Sequence, residues 1–206
     1  MPGYHRGRVP ANKGKKYPAE ILTPDEVAAL FAQISTTTSI GLRNRALITV
    51  LYRAGLRHSE ALALLPKDVN LVTGSMAVLH GKGDRSRVVG VDPGAGAVIT
   101  QWMNRRTVLG FGGSLPLFVT MRGTPLKSSY LKTLLPRLAR QAGLDKRVHP
   151  HGLRHTHAYE LMMEGVEIPI IQRQLGHVSL ATTAIYLNHI APRQVIETMR
   201  KRTWKP

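Results

Sequence analysis

The stretch HPHGLRHTHAY, residues 149–159, places four histidines within nine positions. Two of them, His151 and His155, are spaced i, i+4, so on a helix they would share one face, as two ligands of a metal ion do. Arg154 lies on the same face. Three interpretations are open at this point: a metal site, a proton-transfer site, or a polar helix start.

The residue types around these histidines argue against a metal site. Zinc sites that lack cysteine recruit three histidines, or histidines with a carboxylate. The chain has no cysteine, and this helix has no HExxH pattern. Arg154 would stand beside the ion, and a chain with a net charge of +17 disfavours a divalent cation without carboxylates. We therefore expect neither a metal nor another cofactor here.

The charge of the chain indicates a polyanionic partner. Its 206 residues include 29 Lys and Arg against 12 Asp and Glu, which favours nucleic acid over the alternative of a merely basic protein. No stretch approaches the roughly 20 apolar residues that a membrane-spanning helix needs. The N-terminus also lacks the apolar core of a secretory signal. We expect a soluble, cytoplasmic protein that does not bind membranes.

Helical periodicity dominates the chain and is interrupted once. Thr23 is a candidate N-cap, with Pro24 at the first helical position and Glu26 completing a capping box. Gly55 is placed to end the second helix in a left-handed cap. Over residues 69–92, short valine-rich runs predict a small antiparallel sheet with a hairpin tip at GKGD. The predicted fold class is mainly α with a small antiparallel β-sheet (α+β).

Four short motifs contain residue types that suit phosphoryl transfer, in the order AGLRHSE, HGKGDRSR, HGLRHTHAYELMMEG and LGHVSLATTAIY. Two guanidinium groups can clamp the oxygens of a phosphodiester, and a histidine can move protons at neutral pH. A hairpin lysine can protonate a departing alkoxide, and a tyrosine can attack phosphorus. Each motif alone is weak, since Arg57 could simply pair with Glu60.

Together and in this order, the motifs resemble the catalytic domain of the tyrosine recombinases, the phage integrase family, from about residue 21 to residue 200. The resemblance implies the fold of the DNA breaking–rejoining enzymes. Carried over position by position, it implies six catalytic residues. These are Arg57, Lys82, His151, Arg154, His177 and Tyr186.

The resemblance also implies a role for each residue. The two arginines and His177 would bind the scissile phosphate, and His151 would handle a proton beside it. Lys82 corresponds to the general acid for the 5′-oxygen, and Tyr186 to the nucleophile that forms a 3′-phosphotyrosyl bond. The reaction needs neither metal nor ATP, and a 5′-hydroxyl of the partner duplex completes strand exchange through a Holliday junction.

The remaining histidines of the opening stretch have no catalytic counterpart in this resemblance. His155 belongs to the family motif and is expected to support helix packing. His149 and His157 are expected to be polar neighbours or to lie near DNA.

The resemblance predicts a site-specific recombinase of the integrase or invertase type. Double-stranded DNA would be its partner, and it would self-associate there as a dimer or tetramer, at the nucleoid. Two alternatives stay open. One is relaxation of DNA in the manner of a type IB topoisomerase, and the other is a DNA-binding or architectural protein that kept the fold without the activity.

Domain organisation is expected to be simple. Residues 1–20 are predicted to form a flexible basic tail, where most family members carry a further helical DNA-binding domain. Residues 21–206 are predicted to form the catalytic domain. Its C-terminal helix carries the apolar Val195, Ile196 and Met199, which would dock either on a neighbouring protomer or on the helix's own domain.

Overall fold

The structure, a computed structural model, describes residues 20–79, 86–176 and 199–202. Helices and a three-stranded sheet form the described part, as predicted. The helices are α1 Pro24–Ala32, α2 Ser39–Arg53, α3 His58–Ala63, α4 Pro93–Val108, α5 Ser128–Gln141, α6 Pro150–Met163 and α7 Ile168–Leu175. The strands are β1 Val69–Asn70, β2 Ser75–Val78 and β3 Arg87–Gly90, and a 3-10 turn spans Pro66–Asp68.

The sheet is antiparallel with the strand order β1-β2-β3, so β3 lies at an edge. Met76 pairs with Val89, and both side chains are buried on the inner face. Val88 points the other way and is 68% exposed, which is the alternation that a half-buried sheet requires. The predicted hairpin tip between β2 and β3 lies in residues 80–85, outside the described residues.

The capping box predicted for the first helix is confirmed. The Thr23 side chain accepts a hydrogen bond from the Glu26 N–H at 3.2 Å, and the Glu26 carboxylate accepts one from the Thr23 N–H at 2.7 Å. Pro24 occupies the first helical position, where its missing N–H costs nothing. This reciprocal pairing fixes the start of the first described helix.

The centre of the domain is α2, which is buried along most of its length and packs against both α4 and α6. Even its Arg43 is buried, and the guanidinium donates to the Val119 carbonyl at 3.0 Å. Trp102 of α4 is fully buried, with its indole N–H donating to the Leu117 carbonyl at 2.9 Å. Because α2 is held on several sides, the segment that leaves its C-terminal end has a fixed position.

The chain leaves α2 through Gly55, which adopts the predicted left-handed conformation with φ of +62°. The space around it is as restrictive as the backbone. A Cβ at this position would lie 2.7 Å from Cδ2 of His157 and 2.9 Å from Cδ2 of Leu175. Two residues later, Arg57 is the N-cap of α3. The turn therefore brings α2, α6 and α7 into contact just before Arg57.

None of the helices within the described ranges is long and apolar enough to cross a membrane.

Gly55→Ala tests this close approach. We expect it to lower the free energy of unfolding by about 2–4 kcal/mol, since it combines left-handed strain with overpacking against two buried side chains. The matched control is Gly110→Ala, because Gly110 has φ of +74° but open space around it. The control should cost only about 1–2 kcal/mol. Urea unfolding of both variants measures the difference, and equal losses would contradict the packing argument.

Candidate active site

Helix α6 carries the histidine-rich stretch, and His149 is its N-cap. The His149 Nδ1 accepts a hydrogen bond from the Gly152 N–H at 3.1 Å, with Pro150 at the first helical position. A cap of this kind satisfies one of the free N–H groups at the helix start and fixes the direction of the first turn. The first histidine of the stretch therefore orients the helix that presents His151 and Arg154.

Arg154 lies at the floor of the site and is only 1% exposed. Its Nη1 donates to the Gly55 carbonyl at 2.5 Å, and its Nη2 donates to the Leu175 carbonyl. These contacts join α6 to the C-terminal ends of α2 and α7. Because carbonyl oxygens are neutral acceptors, the two bonds orient the guanidinium without cancelling its charge.

Arg57 reaches the same end of α7 from the other direction. Its Nη2 donates to the Gly176 carbonyl at 3.2 Å, and its Nη1 donates to Glu60 at 2.8 Å. Gly176 caps α7 in the left-handed conformation, with φ of 63° and ψ of 49°. The Leu175 carbonyl thus accepts a hydrogen bond from Arg154, and the next carbonyl, that of Gly176, accepts one from Arg57. The structure brings these two predicted arginines together.

Glu60 is the buried carboxylate that holds Arg57, and it also binds Arg87, to which the sequence motifs assign no role. Arg87 of β3 donates to its two oxygens at 2.9 and 2.8 Å, and the Arg57 N–H donates to it at 2.9 Å. Burial alone would raise the pKa of Glu60, but the hydrogen bonds from Arg87 and Arg57 outweigh it and lower the pKa to about 2. Glu60 is therefore ionised at every physiological pH.

Arg57, Arg87 and Arg154 meet at the C-terminal end of α7 and form what we call the arginine cluster. His151 lies at the outer edge of this cluster and is exposed. Desolvation of the ring, and then the positive charges of Arg154 and Arg57 with those of nearby histidines, lower the pKa of His151. His151 is therefore neutral at pH 7 and can accept a proton. The field of both arginines acts on this ring, which makes His151 the third predicted residue that the described structure brings to the site.

The i, i+4 pair of histidines forms a packing contact. The rings of His151 and His155 are 4.1 Å apart between centroids and tilted by 68°, an edge-to-face arrangement. Across residues 20–79, 86–176 and 199–202, no group of three or more His, Asp or Glu side chains could hold a metal ion. The contact agrees with the packing role expected for His155.

The expectation that His157 is polar or near DNA is wrong. The side chain is 3% exposed and faces inward against the Gly55 turn. Neither ring nitrogen has a hydrogen-bond partner among the residues that the structure describes. Burial, and then the charges of Arg53 and Arg154, lower the pKa of His157 to about 4. The residue therefore acts as a neutral core side chain.

Lys82, His177 and Tyr186 lie outside the described residues. The structure describes a segment next to two of these residues. Strand β3 begins at Arg87, five positions after Lys82, and α7 with its cap ends at Gly176, immediately before His177. Both segments contact the arginine cluster, through the bonds of Arg87 to Glu60 and of Arg57 to the Gly176 carbonyl.

The arrangement suits an oxyanion with several acceptor oxygens. Arg57, Arg87 and Arg154 carry three positive charges against the single negative charge of Glu60. A neutral histidine beside them can exchange a proton at physiological pH. Guanidinium groups stay charged at any such pH and bind phosphate through paired N–H groups. A ligand with several negatively charged oxygens would complement this excess of positive charge.

Comparison with known proteins identifies relatives of this arrangement. A model of the phage integrase family matches residues 20–192. Tyrosine recombinase XerC of Xylella fastidiosa (strain 9a5c) is 39% identical over 166 residues, which are 81% of this chain and 55% of that protein. The chain spans about half the length of the curated relatives it matches.

Solved structures with the same fold are also recombinases. The crystal structure of XerA recombinase has a TM-score of 0.80 and 32% identity, covering 95% of this chain and 70% of XerA. XerH site-specific recombinase, bound to a palindromic difH substrate after cleavage, has a TM-score of 0.74 and 29% identity, covering 89% of this chain and 53% of XerH. The predicted fold, that of a tyrosine recombinase catalytic domain, is confirmed.

Glu60→Gln tests the carboxylate that holds the site together. At pH 7 we expect a loss of about 3 kcal/mol of stability, because Arg57 and Arg87 lose their buried counter-charge. The folded pKa of Glu60 is about 2 against an ordinary 4.5, so its contribution is present above pH 4.5 and is lost as pH falls toward 2. The difference between wild type and variant should therefore narrow from pH 5 to pH 3.

Urea unfolding at pH 7, 5, 4 and 3 measures this narrowing. Glu164→Gln is the matched control, since Glu164 is exposed at the end of α6. Its effect should stay within about 0.5 kcal/mol at every pH. A gap between wild type and Glu60→Gln that stays constant with pH would contradict the ionised, buried carboxylate.

His157→Phe tests the buried histidine. The folded pKa is about 4 against an ordinary 6.5, so the unfolded chain takes up a proton first as pH falls below 6.5. Wild-type stability should thus drop by about 2 kcal/mol more than that of the variant between pH 7.5 and pH 5. Parallel unfolding curves for wild type and His157→Phe would refute the assignment.

Proposed function

The chain belongs to the phage integrase family, and on that basis we propose that it is the catalytic domain of a site-specific tyrosine recombinase. The observation that carries the proposal is the pair of guanidinium groups at the end of α7. Arg154 and Arg57 are bound by the consecutive carbonyls of Leu175 and Gly176, directly before His177 in the chain. Together with Arg57, Arg154 would hold the scissile phosphate.

Double-stranded DNA is the proposed substrate. The net charge of +17 favours a polyanion, and such a charge draws DNA to the protein at low and moderate salt. XerH, a relative with 29% identity, has been crystallised on its difH DNA. The guanidinium groups of Arg57 and Arg154 would face the phosphate oxygens, whose negative charge grows as the phosphorus is attacked.

In the proposed reaction, the Tyr186 oxygen attacks the scissile phosphorus and the bond to the 5′-oxygen breaks. The phenolic proton passes to a base, and His151 can accept it because its lowered pKa leaves the ring unprotonated. Lys82 supplies the proton that the departing 5′-oxygen takes up, and His177 donates a hydrogen bond to the phosphate. The new 3′-phosphotyrosyl bond conserves the energy of the broken one, so rejoining needs no ATP.

The assembly of the active complex is also a proposal. We propose that the protein works as a dimer or tetramer on DNA at the nucleoid, with residues 21–206 as the catalytic domain and residues 1–20 as a basic tail. Met199, in the described fragment 199–202, is 52% exposed. In this proposal the apolar Val195, Ile196 and Met199 of the C-terminal segment dock on a neighbouring protomer.

Tyr186→Phe tests the reaction. Duplexes that the 206-residue chain binds are first selected from a random-sequence pool. Each is then nicked at successive positions, so that cleavage next to the nick releases a short strand and traps the covalent complex. Wild type should give a protein–DNA adduct that survives denaturation and maps to Tyr186. The variant should give none, because phenylalanine has no oxygen to attack phosphorus.

The matched control is Tyr159→Phe on α6, which should form the adduct as wild type does.

EDTA should leave the wild-type yield unchanged, and loss of cleavage that zinc restores would overturn the metal-free mechanism. Adduct formation by Tyr186→Phe would overturn the catalytic assignment. Binding without any adduct from wild type would support a DNA-binding or architectural protein. Plasmid relaxation without recombinant product would support a topoisomerase-like activity.

A further inference from the structure

The side chain of Gln174 ties the last turn of α7 to the edge strand β3. Its Oε1 accepts a hydrogen bond from the Gly90 N–H at 2.9 Å, and its Nε2 donates to the Gly90 carbonyl at 2.8 Å. One primary amide therefore pairs with both main-chain groups of one residue, as an adjacent strand would. The same Nε2 also donates to the Ala54 carbonyl at 3.3 Å.

A second contact ties the other end of β3 to the same residue. Arg87 Nε donates to the main-chain carbonyl of Gln174 at 3.4 Å while its terminal nitrogens hold Glu60. The approach is close, since a Cβ on Gly176 would lie 2.7 Å from Arg87 Nε. Both ends of the four-residue strand are thus fixed to the last turn of α7.

Each segment that Gln174 joins leads directly to a residue of the proposed reaction. Strand β3 begins five positions after Lys82, and the cap of α7 directly precedes His177. Ala54 is the C-cap of α2, three positions before Arg57. Gln174 itself has no atom that the proposed reaction uses. Its hydrogen bonds set the placement of one catalytic segment against another.

We infer that Gln174 is a positioning residue, which holds β3 against the end of α7 and thereby supports protonation of the departing 5′-oxygen by Lys82. The inference rests on the proposed function. It predicts that the variant fails at one step. In that step the bond from phosphorus to the 5′-oxygen breaks, its electron pair stays on the oxygen, and the Lys82 ammonium supplies the proton.

A substrate with sulfur in place of the bridging 5′-oxygen isolates that step, because a thiolate leaves without being protonated. With the oxygen substrate, Gln174→Leu should slow single-turnover cleavage about 10- to 100-fold, the range in which a small misplacement of a catalytic group falls. With the sulfur substrate, the same variant should cleave at close to the wild-type rate. A destabilised protein would be slow on both substrates.

Three further variants complete the experiment. Gln141→Leu makes the same change at the exposed end of α5 and should match wild type on both substrates. Gln174→Glu keeps the acceptor for the Gly90 N–H but turns a carboxylate oxygen toward the Gly90 and Ala54 carbonyls, which repel it, so it should be slowed on oxygen alone and at least as much as Gln174→Leu. Lys82→Ala should be slowed about 10²- to 10⁴-fold on oxygen and should be rescued by sulfur.

The outcomes separate this inference from the proposed function. If wild type forms no tyrosine adduct on either substrate, the proposed function fails and the inference fails with it. If wild type cleaves but sulfur does not rescue Lys82→Ala, lysine is not the acid and the inference is overturned through that assignment. If sulfur rescues Lys82→Ala but Gln174→Leu is equally slow, or equally fast, on both substrates, only the inference is overturned.

Discussion

The site depends on one buried carboxylate. Glu60 sits on the short helix α3, yet it accepts hydrogen bonds from α3's own N-cap residue, Arg57, and from Arg87 on β3. A carboxylate with its side chain 2% exposed is stable only where several donors compensate for lost water, and here four N–H groups do so. Because the donors come from separate elements, ionised Glu60 fixes β3 relative to the start of α3.

The acceptors that hold Arg154 are of a different kind, and the difference has a chemical consequence. Main-chain carbonyls at Gly55 and Leu175 orient its guanidinium without supplying negative charge. Glu60 is shared between Arg57 and Arg87, so these four side chains together carry an excess of two positive charges. A group that carries distributed negative charge on several oxygens complements that excess, and a phosphodiester in the course of attack is such a group.

Local features of this fold could be predicted from the sequence, but the hydrogen bonds that join the separate elements of the site could not. The cap at Thr23 and the turn at Gly55 depend on neighbouring residues, so their signals are contained in short stretches. Arg57 was found because its motif occurs in a recognisable order with three others. Arg87 and Gln174 carry no such signal, since their partners are 27 and 84 positions away. Only the tertiary fold brings those partners within hydrogen-bond distance.

The histidine pattern shows the same limit from the opposite side. His151 and His157 occur in one stretch, six positions apart, but the fold exposes the first to the arginine cluster and buries the second against Gly55. On one helix, such a separation turns a side chain by roughly 240°, which is enough to carry it from the site into the core. Residue type and spacing therefore do not distinguish a proton acceptor from a packing residue here.

Every described group of the site lies near an end of an element. These are the C-terminal ends of α2 and α7, the start of α3, the first turns of α6 and both ends of β3. Ends expose carbonyls that no helix bond uses, and these carbonyls are the acceptors for Arg154, Arg57 and Gln174. This arrangement makes the site sensitive to how the elements pack against one another, because no single helix contains it. A bound phosphate that engages both arginines would stabilise that docking, since any ligand that binds only the assembled state shifts the equilibrium toward it. The free energy of binding such a ligand would then also serve to hold these segments in place.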